Sequence, residues 1–268
     1  MKRAALVSGA AVLVGFLTGA CDRPRPTAVG VDGLSPQFQA SSIEGSYPLH
    51  RSALSFDGID DYVTVPDDPS LDMADGFTIA AWIYIDEYTE WASIVTKGAT
   101  WEGNNYTIHQ GGPSYPGTHF PEYGHLRFTR SGLPAPLPES NTIIPLHEWH
   151  FVAVTFDGTT VSFYLDGRFD GQQEISGGLP QNNEPLNIGA DFPGAPEFWN
   201  GMIDELRIWN TPLGTAHIQA AMNGHSSPLA SALVGYWTFG EGSGTVAHDR
   251  STYGNDGALV GDPAWVSQ

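Results

Sequence analysis

Cysteine and basic residues are scarce in this sequence of 268 residues. The one cysteine, Cys21, cannot form a disulfide within the chain, so the fold has to be held by its core. Lys and Arg number 11 against 30 Asp and Glu, which gives a formal net charge of −19. A nucleic-acid partner needs a basic surface, and this composition argues against one. Clustered carboxylates would attract divalent cations, whereas dispersed negative charge only keeps a chain soluble, and both interpretations stay open.

Common catalytic patterns are also missing. The sequence has no Gly-x-Ser-x-Gly stretch, and its nine histidines include no His-x-x-x-His pair. The lone cysteine lies in an N-terminal region that precedes the strand-rich part of the chain. These absences argue against a serine or cysteine nucleophile and against a zinc site on a helix.

The N-terminus has the pattern of an export signal. Lys2 and Arg3 precede an uncharged, mostly apolar stretch, residues 4–20, which is shorter than a typical membrane span of about 20 residues. The stretch leads into "LTGAC", which resembles a bacterial lipobox and implies cleavage before Cys21 and lipidation of that residue. Residues 1–20 are thus predicted to be a lipoprotein signal peptide, with an ordinary signal peptide as the alternative. Residues 21–51, polar and Pro-rich, are predicted to form a flexible tether.

From residue 52 onward the sequence predicts many short strands. Gly (32) and Pro (20) are frequent, which favours turns over long helices. Residues 77–85, "FTIAAWIYI", are apolar almost throughout, as in a central strand covered on both faces. Residues 149–167 alternate around Asp157-Gly158 and end in Asp166-Gly167, which predicts a hairpin. One short helix is expected at residues 215–224, with Thr215 as its cap.

Three stretches in order resemble laminin-G-like, concanavalin A-like jelly-roll domains. They are "ALSFDGIDDYVTVPDDPSLDMADGFTIAAWI", "WHFVAVTFDGTTVSFYLDG" and "WNGMIDELRIWNTPL". The resemblance implies an all-β fold: a two-sheet antiparallel jelly-roll sandwich of the concanavalin A-like lectin/glucanase type, with one short helix. The domain is predicted to span residues 52–268. Residues 232–268 are expected to supply its closing strands, with an incomplete second module as the alternative.

The resemblance does not bring a catalytic acid pair with it. Endo-β-glucanases of a related fold carry Glu-x-Asp-x-Glu on one strand, where alternate residues share a face. The nearest stretch here places Asp204 in the middle, but Met202 and Leu206 stand at the two glutamate positions. Glu205 is expected to point to the opposite face of the strand. We therefore predict that the protein is not an enzyme.

Three aspartates in "LSFDGIDDYV" suggest either a turn or a cation site. Asp-Gly is a turn dipeptide, and an Asp side chain readily bonds the backbone two residues on. Calcium prefers six to eight oxygen ligands, many from carboxylates. By resemblance to the family, a structural calcium ion is predicted at Asp57, Asp60 and Asp204. Asp57 is expected to form the turn with or without the ion.

Aromatic residues on two long connections suggest a sugar-binding surface. Loops on a rigid scaffold commonly carry binding residues, and aromatic rings stack on pyranose faces. Residues 99–130 and 190–199 combine such rings with Gly, Pro and amides. The alternative is that single rings, Tyr106 among them, pack into the core. The predicted ligand-binding residues are Trp101, Tyr106, His109, Tyr115, Tyr123 and Trp199.

The function expected from these features is a non-catalytic carbohydrate-binding or adhesion module of the bacterial cell envelope. Its expected partner is a glycan or polysaccharide, and its contact with the membrane is limited to the lipid anchor on Cys21. Two alternatives stay open: a module that binds protein or builds the envelope, and a divergent polysaccharide hydrolase or lyase.

Overall fold

Antiparallel strands make up most of the computed structural model, which describes residues 52–100, 103–111, 123–192, 197–225 and 229–267. These residues all fall in one compact unit, Glu44–Gln268. The predicted signal peptide, Cys21 and the predicted tether lie outside the described residues. No helix among the described residues is long and apolar enough to cross a membrane.

The strands and the helix have the following bounds in chain order. They are β1 (Ser52–Asp57), β2 (Tyr62–Val65), β3 (Phe77–Ile85), β4 (Ser93–Lys97), β5 (Tyr106–Gln110), β6 (His125–Thr129), β7 (Glu139–Ile143), β8 (Trp149–Phe156), β9 (Thr160–Leu165), β10 (Arg168–Glu174), β11 (Leu186–Ile188), β12 (Asn200–Trp209), α1 (Thr215–Met222), β13 (Leu233–Trp237), β14 (Val246–Ala247), β15 (Gly257–Val260) and β16 (Ala264–Ser267). Short 3-10 turns lie at Pro69–Leu71 and Ala230–Ala232.

These strands form two antiparallel sheets of eight strands each. The first sheet has the order β10-β9-β8-β3-β12-β1-β16, and β13 pairs with the second half of β12. The second sheet has the order β14-β15-β2-β11-β4-β5-β6-β7. Non-consecutive strands lie side by side in both sheets, as a jelly roll requires. The predicted all-β, two-sheet sandwich with one short helix is confirmed.

The main core lies between the sheets and takes alternate residues of each strand. In β3, Ile79 and Ile83 enter this core, whereas Ala80 and Trp82 face outward into a second apolar cluster. Helix α1 covers that second cluster with Ile218 and Ala221. Strand β3 is therefore covered on both faces, as its continuous apolar sequence predicts.

Two aspartate-glycine pairs form turns, as the sequence predicts. The Asp157 side chain accepts hydrogen bonds from the backbone N–H groups of Thr159 and Thr160, at 3.0 and 2.8 Å. Asp166 and Gly167 both have positive φ, 49° and 70°, which is the geometry of a tight turn between β9 and β10. Strands β8 and β9 pair in register from Val152 with Leu165 to Phe156 with Val161.

The start of α1 differs from the prediction. Gly214 is the cap residue, with extended backbone and no side-chain hydrogen bond, and Thr215 is the first helical residue. The prediction that Thr215 caps the helix is wrong because the chain turns one residue earlier. At the other end, Gly224 has a φ of +70°, the left-handed conformation in which glycine commonly ends a helix.

The C-terminal segment pairs with both sheets. Strand β13 lies beside β12 and β16 beside β1 in the first sheet, and β15 lies beside β2 in the second. Trp237 and Phe239 are fully buried in the main core. The Trp237 indole N–H also donates to the carbonyl of Asn255 at 3.0 Å, which holds the following loop against the strand.

Because Trp237 fills the core from this segment, we expect Trp237→Ala to lower the free energy of unfolding by about 3–5 kcal/mol. Urea denaturation followed by fluorescence measures the change. Tyr253→Ala is the matched control, since Tyr253 is 47% exposed, and we expect it to change stability by less than about 0.5 kcal/mol. Equal effects of the two substitutions would contradict a core role for the C-terminal segment.

Candidate functional site

The predicted metal site has a turn at its centre. The Asp57 carboxylate oxygen Oδ1 accepts the backbone N–H groups of Ile59, at 2.8 Å, and Asp60, at 3.4 Å. Gly58 has a φ of +76°, which the tight turn requires. Carboxylate oxygens of Asp57, Asp60 and Asp61 all lie within 4.8 Å of one another. We call these three residues the acidic turn.

Asp61 is the buried member of the acidic turn, and it is not part of the calcium site predicted from the sequence. Its two carboxylate oxygens accept the backbone N–H groups of Asp262, at 2.7 Å, and Asp57, at 3.1 Å. Burial raises the pKa of Asp61, while these two hydrogen bonds act in the opposite direction. Asp61 therefore fastens the C-terminal segment to the end of β1, whether or not an ion is bound.

Asp204 does not belong to the acidic turn. Asp57 at the end of β1 pairs with Asn200, and Asp204 lies four residues farther along β12. Four strand residues span about 13 Å, too far for one ion to be held by both side chains. The prediction that Asp204 joins Asp57 and Asp60 is corrected for this geometric reason.

Glu205 also departs from the expected alternation. A β-bulge between Asp204 and Arg207 interrupts the pairing of β12 with β3, and Glu205 has a positive φ of 52°. The extra residue re-aims the strand. The Glu205 carboxylate binds Arg207, which faces outward beside α1, and accepts the hydroxyl of Tyr236 at 2.6 Å. Glu205 thus takes part in a structural ion pair on the outer side of the first sheet.

Three predicted ligand-binding residues are buried. Tyr106 and Trp199 are 0% and 1% exposed and belong to the main core. The Tyr106 ring lies 5.6 Å from that of Phe77, and its hydroxyl donates to the carbonyl of Leu71 at 3.2 Å. Neither ring has a face open to a ligand, so the predicted binding role is corrected to a packing role for both. Trp101 and Tyr115 lie outside the described residues.

His109 is the third buried member of the predicted set. Its ring lies 5.1 Å from that of Trp91, and Nδ1 is 3.0 Å from the carbonyl of Gln110. Burial, with a smaller contribution from the charge of Arg127, lowers the pKa of His109 from 6.5 to about 4. The imidazole is therefore neutral at physiological pH. Its burial corrects the prediction of a surface ligand role.

Among the predicted residues that the structure describes, Tyr123 alone lies at the surface. It is 37% exposed and stacks on Tyr88, with ring centres 6.5 Å apart and planes 10° apart. The Tyr88 hydroxyl donates to the carbonyl of Ile144 at 2.5 Å, which holds the Tyr88 ring in place. The exposed side chain of Ile143 and the Tyr88 ring both lie beside Gly124. We call Tyr88 and Tyr123 the tyrosine stack.

A row of polar side chains crosses the outer face of the second sheet. Asn187 of β11 pairs with Thr64 and Thr96, Thr96 pairs with Thr107, and Thr107 pairs with Thr129. Their strand neighbours, such as Ile108 and Phe128, face the main core. All members of the row except Thr64 are buried. The polar row is therefore a covered surface rather than an open groove.

Two carboxyl groups meet beside the polar row. Asp191 lies shortly after the end of β11, and Glu197 lies shortly before the start of β12. Thr96 Oγ1 donates to Asp191 Oδ1 at 2.9 Å, and the side chains of Thr107 and Glu197 also bond Asp191. Burial raises the pKa of Asp191, and burial together with Asp191 raises the pKa of Glu197 to about 8. We call these two residues the acid pair.

The acid pair does not have the arrangement of a glycosidase. Retaining and inverting enzymes hold their two carboxyl groups about 5 to 9 Å apart, with the scissile bond between them. Here the two groups are hydrogen-bonded to each other, so one proton is shared where a substrate would have to lie. The acid pair therefore does not match the spacing of either glycosidase arrangement.

A model of the concanavalin A-like lectin/glucanases superfamily matches residues 57–219, more than half of the chain. Among solved structures, a candidate carbohydrate-binding protein from Bacteroides ovatus is 18% identical with a TM-score of 0.64. The alignment covers 81% of this chain and 60% of that protein, so this chain spans less than two thirds of its length. No curated protein sequence matches the chain.

Two further structures show a weaker likeness. Domain 4 of an extracellular GH43 arabinanase from Geobacillus stearothermophilus, solved with arabinotriose, is 17% identical with a TM-score of 0.49 over 63% of this chain and 76% of that one. A heptameric SAP-like pentraxin from Limulus polyphemus is 17% identical with a TM-score of 0.48 over 65% and 82%. At these identities the likeness concerns the fold alone.

Buried His109 makes stability depend on pH. Because its pKa is about 4 in the folded protein and about 6.5 when unfolded, the unfolded chain binds the proton more readily. The contribution of His109 to the free energy of unfolding is about 3 kcal/mol. It is fully present above pH 6.5 and is lost as the pH falls from 6.5 to 4. We expect His109→Gln to flatten the stability profile across this window in urea titrations.

His147→Asn serves as the control, because the His147 side chain is 64% exposed. The control is expected to keep the slope of the original protein between pH 4 and 6.5. An unchanged slope in His109→Gln would show that other groups govern the acid sensitivity.

Proposed function

Because the chain belongs to the concanavalin A-like lectin/glucanases superfamily, we propose that it is a non-catalytic carbohydrate-binding module of the bacterial cell envelope. The tyrosine stack is the observation that carries this proposal. It presents an aromatic face to solvent from a rigid two-sheet scaffold. Because the family includes both binding modules and enzymes, the function depends on the site and not on the fold.

The tyrosine stack suits a sugar ring in its chemistry. The apolar face of a pyranose packs on an aromatic ring, and tyrosine supplies a large contact area with little conformational freedom to lose. Tyr88 is fixed by its hydrogen bond to Ile144, so the exposed Tyr123 ring rests on a preorganised base. Asn141, exposed on β7 two residues before Ile143, offers an amide group for sugar hydroxyls.

The carboxylates support a binding role over a catalytic one. Asp204 has no partner acid at alternate positions of β12, and Glu205 is engaged by Arg207 and Tyr236. The acid pair is in direct contact.

Calcium at the acidic turn remains a prediction, with Asp61 in the place first given to Asp204. The oxygens of Asp57, Asp60 and Asp61 are close enough for one ion. Their hydrogen bonds to the backbone, however, account for the same geometry without an ion. Thermal unfolding of the original protein and of Asp60→Asn, each in calcium and in EDTA, separates the two, because only a bound ion makes Tm depend on calcium.

We expect Tyr123→Ala to weaken glycan binding at least about tenfold. Loss of the ring removes roughly 1.5–3 kcal/mol of the binding free energy that comes from burying it against the sugar. A glycan array followed by affinity electrophoresis on insoluble polysaccharides identifies the ligand and measures the loss. Tyr253→Ala is the matched control, because Tyr253 is an exposed tyrosine on the C-terminal loop. A blank array together with one dominant cross-linked protein partner would favour a protein-binding module instead.

The envelope location depends on Cys21. If the cysteine is acylated, cells fed a palmitate analogue will label the original protein but not Cys21→Ser, and the variant will leave the membrane fraction. Stable anchoring requires two lipid signals, which lipidation of a processed N-terminal cysteine supplies. Membrane association of an unlabelled Cys21→Ser protein would contradict the anchor. The matched control is Ser8→Ala, a substitution of similar size inside the predicted signal.

A further inference from the structure

We infer that the glycan-binding surface extends from the tyrosine stack to a second group of aromatic rings, formed by Tyr84, His147 and Trp149. We call these three residues the tryptophan platform. A ligand that covers both surfaces is an extended polysaccharide chain, and the charge around them selects a chain without anionic groups. The inference rests on the proposed function, because it assigns the ligand class of the same binding surface.

The tryptophan platform lies on the outer face of the first sheet, near the end of β3. Tyr84 pairs with Trp149 of β8 on one side and with Met202 of β12 on the other. The centre of the Tyr84 ring lies 5.7 Å from that of Trp149 and 6.5 Å from that of His147. Tyr84 and Trp149 are half-buried, and the His147 side chain is 64% exposed. The three rings therefore present a joined aromatic surface to solvent.

The connections that follow β3 and precede β8 run side by side and link the tryptophan platform to the tyrosine stack. The backbone N–H of His147 donates to the carbonyl of Ile85 at 2.9 Å, and the Tyr88 hydroxyl donates to the carbonyl of Ile144. Tyr84 and Tyr88 are four residues apart, so their Cα atoms lie within about 14 Å of each other. The two aromatic surfaces are therefore at the same end of the sandwich.

One sugar ring cannot contact both surfaces. Tyr84 is on the outer face of the first sheet, whereas the Tyr88 ring lies beside Gly124, just before β6 of the second sheet. Sheets in a sandwich stack about 10 Å apart, and stacked rings have centres about 4.5–7 Å apart. A ligand that engages both surfaces must therefore be a chain of several rings. Joining two weak contacts in one ligand raises its affinity without requiring a tighter contact at either place.

The charge around the two surfaces indicates which polysaccharides fit. Asp86 and Glu87 follow the end of β3, Glu148 precedes the start of β8, and all three are exposed. Among the Lys and Arg residues that the structure describes, Arg168 and Arg250 are the exposed ones, and neither belongs to these connections. Like charges in contact weaken association, so a polysaccharide that carries carboxylate or sulfate groups is repelled. An uncharged or amine-bearing chain is not.

Calorimetric titration of the full chain with oligosaccharides of increasing length tests the inference. The oligosaccharides are cut from the polysaccharide that binds best on the array. In the original protein we expect affinity to rise with length until the ligand reaches both surfaces. We expect Tyr84→Ala to weaken binding of the longest oligosaccharide at least about tenfold and to end this rise earlier. Tyr253→Ala, which alters an exposed tyrosine on the C-terminal loop, should match the original protein at every length.

Two further substitutions separate loss of the ring from loss of the fold. Tyr84→Phe keeps the ring and should bind as the original protein does. If Tyr84→Ala does not fold, as judged by near-UV circular dichroism, Tyr84→Leu fills much of the same space without an aromatic face and should also lose the gain with length.

A matched pair of ligands tests the charge. A carboxylated polysaccharide should bind at least about tenfold more weakly than its carboxyl-reduced form at low salt, and the difference should shrink as salt screens the repulsion. Tighter binding of the carboxylated form would contradict the assigned ligand class.

The outcomes distinguish the inference from the proposed function. If Tyr123→Ala weakens binding while Tyr84→Ala binds every oligosaccharide as the original protein does, the extended surface is overturned and glycan binding at the tyrosine stack stands. If no glycan binds the original protein, the proposed function fails, and the extended surface fails with it.

Discussion

Strand β12 is the element on which the rest of the structure depends. Its first half pairs with β1, its second half pairs with β13, and its other edge pairs with β3. The bulge at Glu205 divides the two halves and lets one strand serve three partners. Arg207, just beyond the bulge, bonds Glu205, the helix carbonyl of Ala221 and Tyr236. One guanidinium thereby joins the bulge, α1 and the C-terminal segment.

Elements with purely local signals could be predicted from the sequence. The unbroken apolar run of β3 indicates a strand covered on both faces, and the aspartate-glycine turns around β9 indicate hairpins, as the structure shows. Hydrophobic periodicity and turn chemistry need no knowledge of distant residues. The bulge at Glu205 has no such local signal, which is why strict alternation gave the wrong face for that side chain.

Exposure of aromatic rings was harder to predict, because it depends on what packs above them. Tyr106 alternates with Ile108 on β5, so its ring had to enter the core once β5 joined the second sheet. Trp199 directly precedes β12 and is buried for the same reason. Tyr123 instead lies outside β6, where its ring stacks on that of Tyr88. The acid pair was missed because Thr96 on β4 and Thr107 on β5, which bond Asp191, lie far from it in the sequence.

The two sheets treat their outer faces differently. The first sheet covers its outer face with α1, and the contacts there are apolar, between residues such as Trp82 and Ile218. The second sheet buries threonines, an asparagine and the Asp191 carboxyl group in the equivalent position, with Glu197 half-buried beside it. Buried polar groups cost stability unless they are fully bonded, and apolar residues of similar size would remove that cost. The hydrogen bonds that Asp191 makes with Thr96, Thr107 and Glu197 offset part of that cost, so polar contacts hold the outer face of the second sheet where apolar packing holds that of the first.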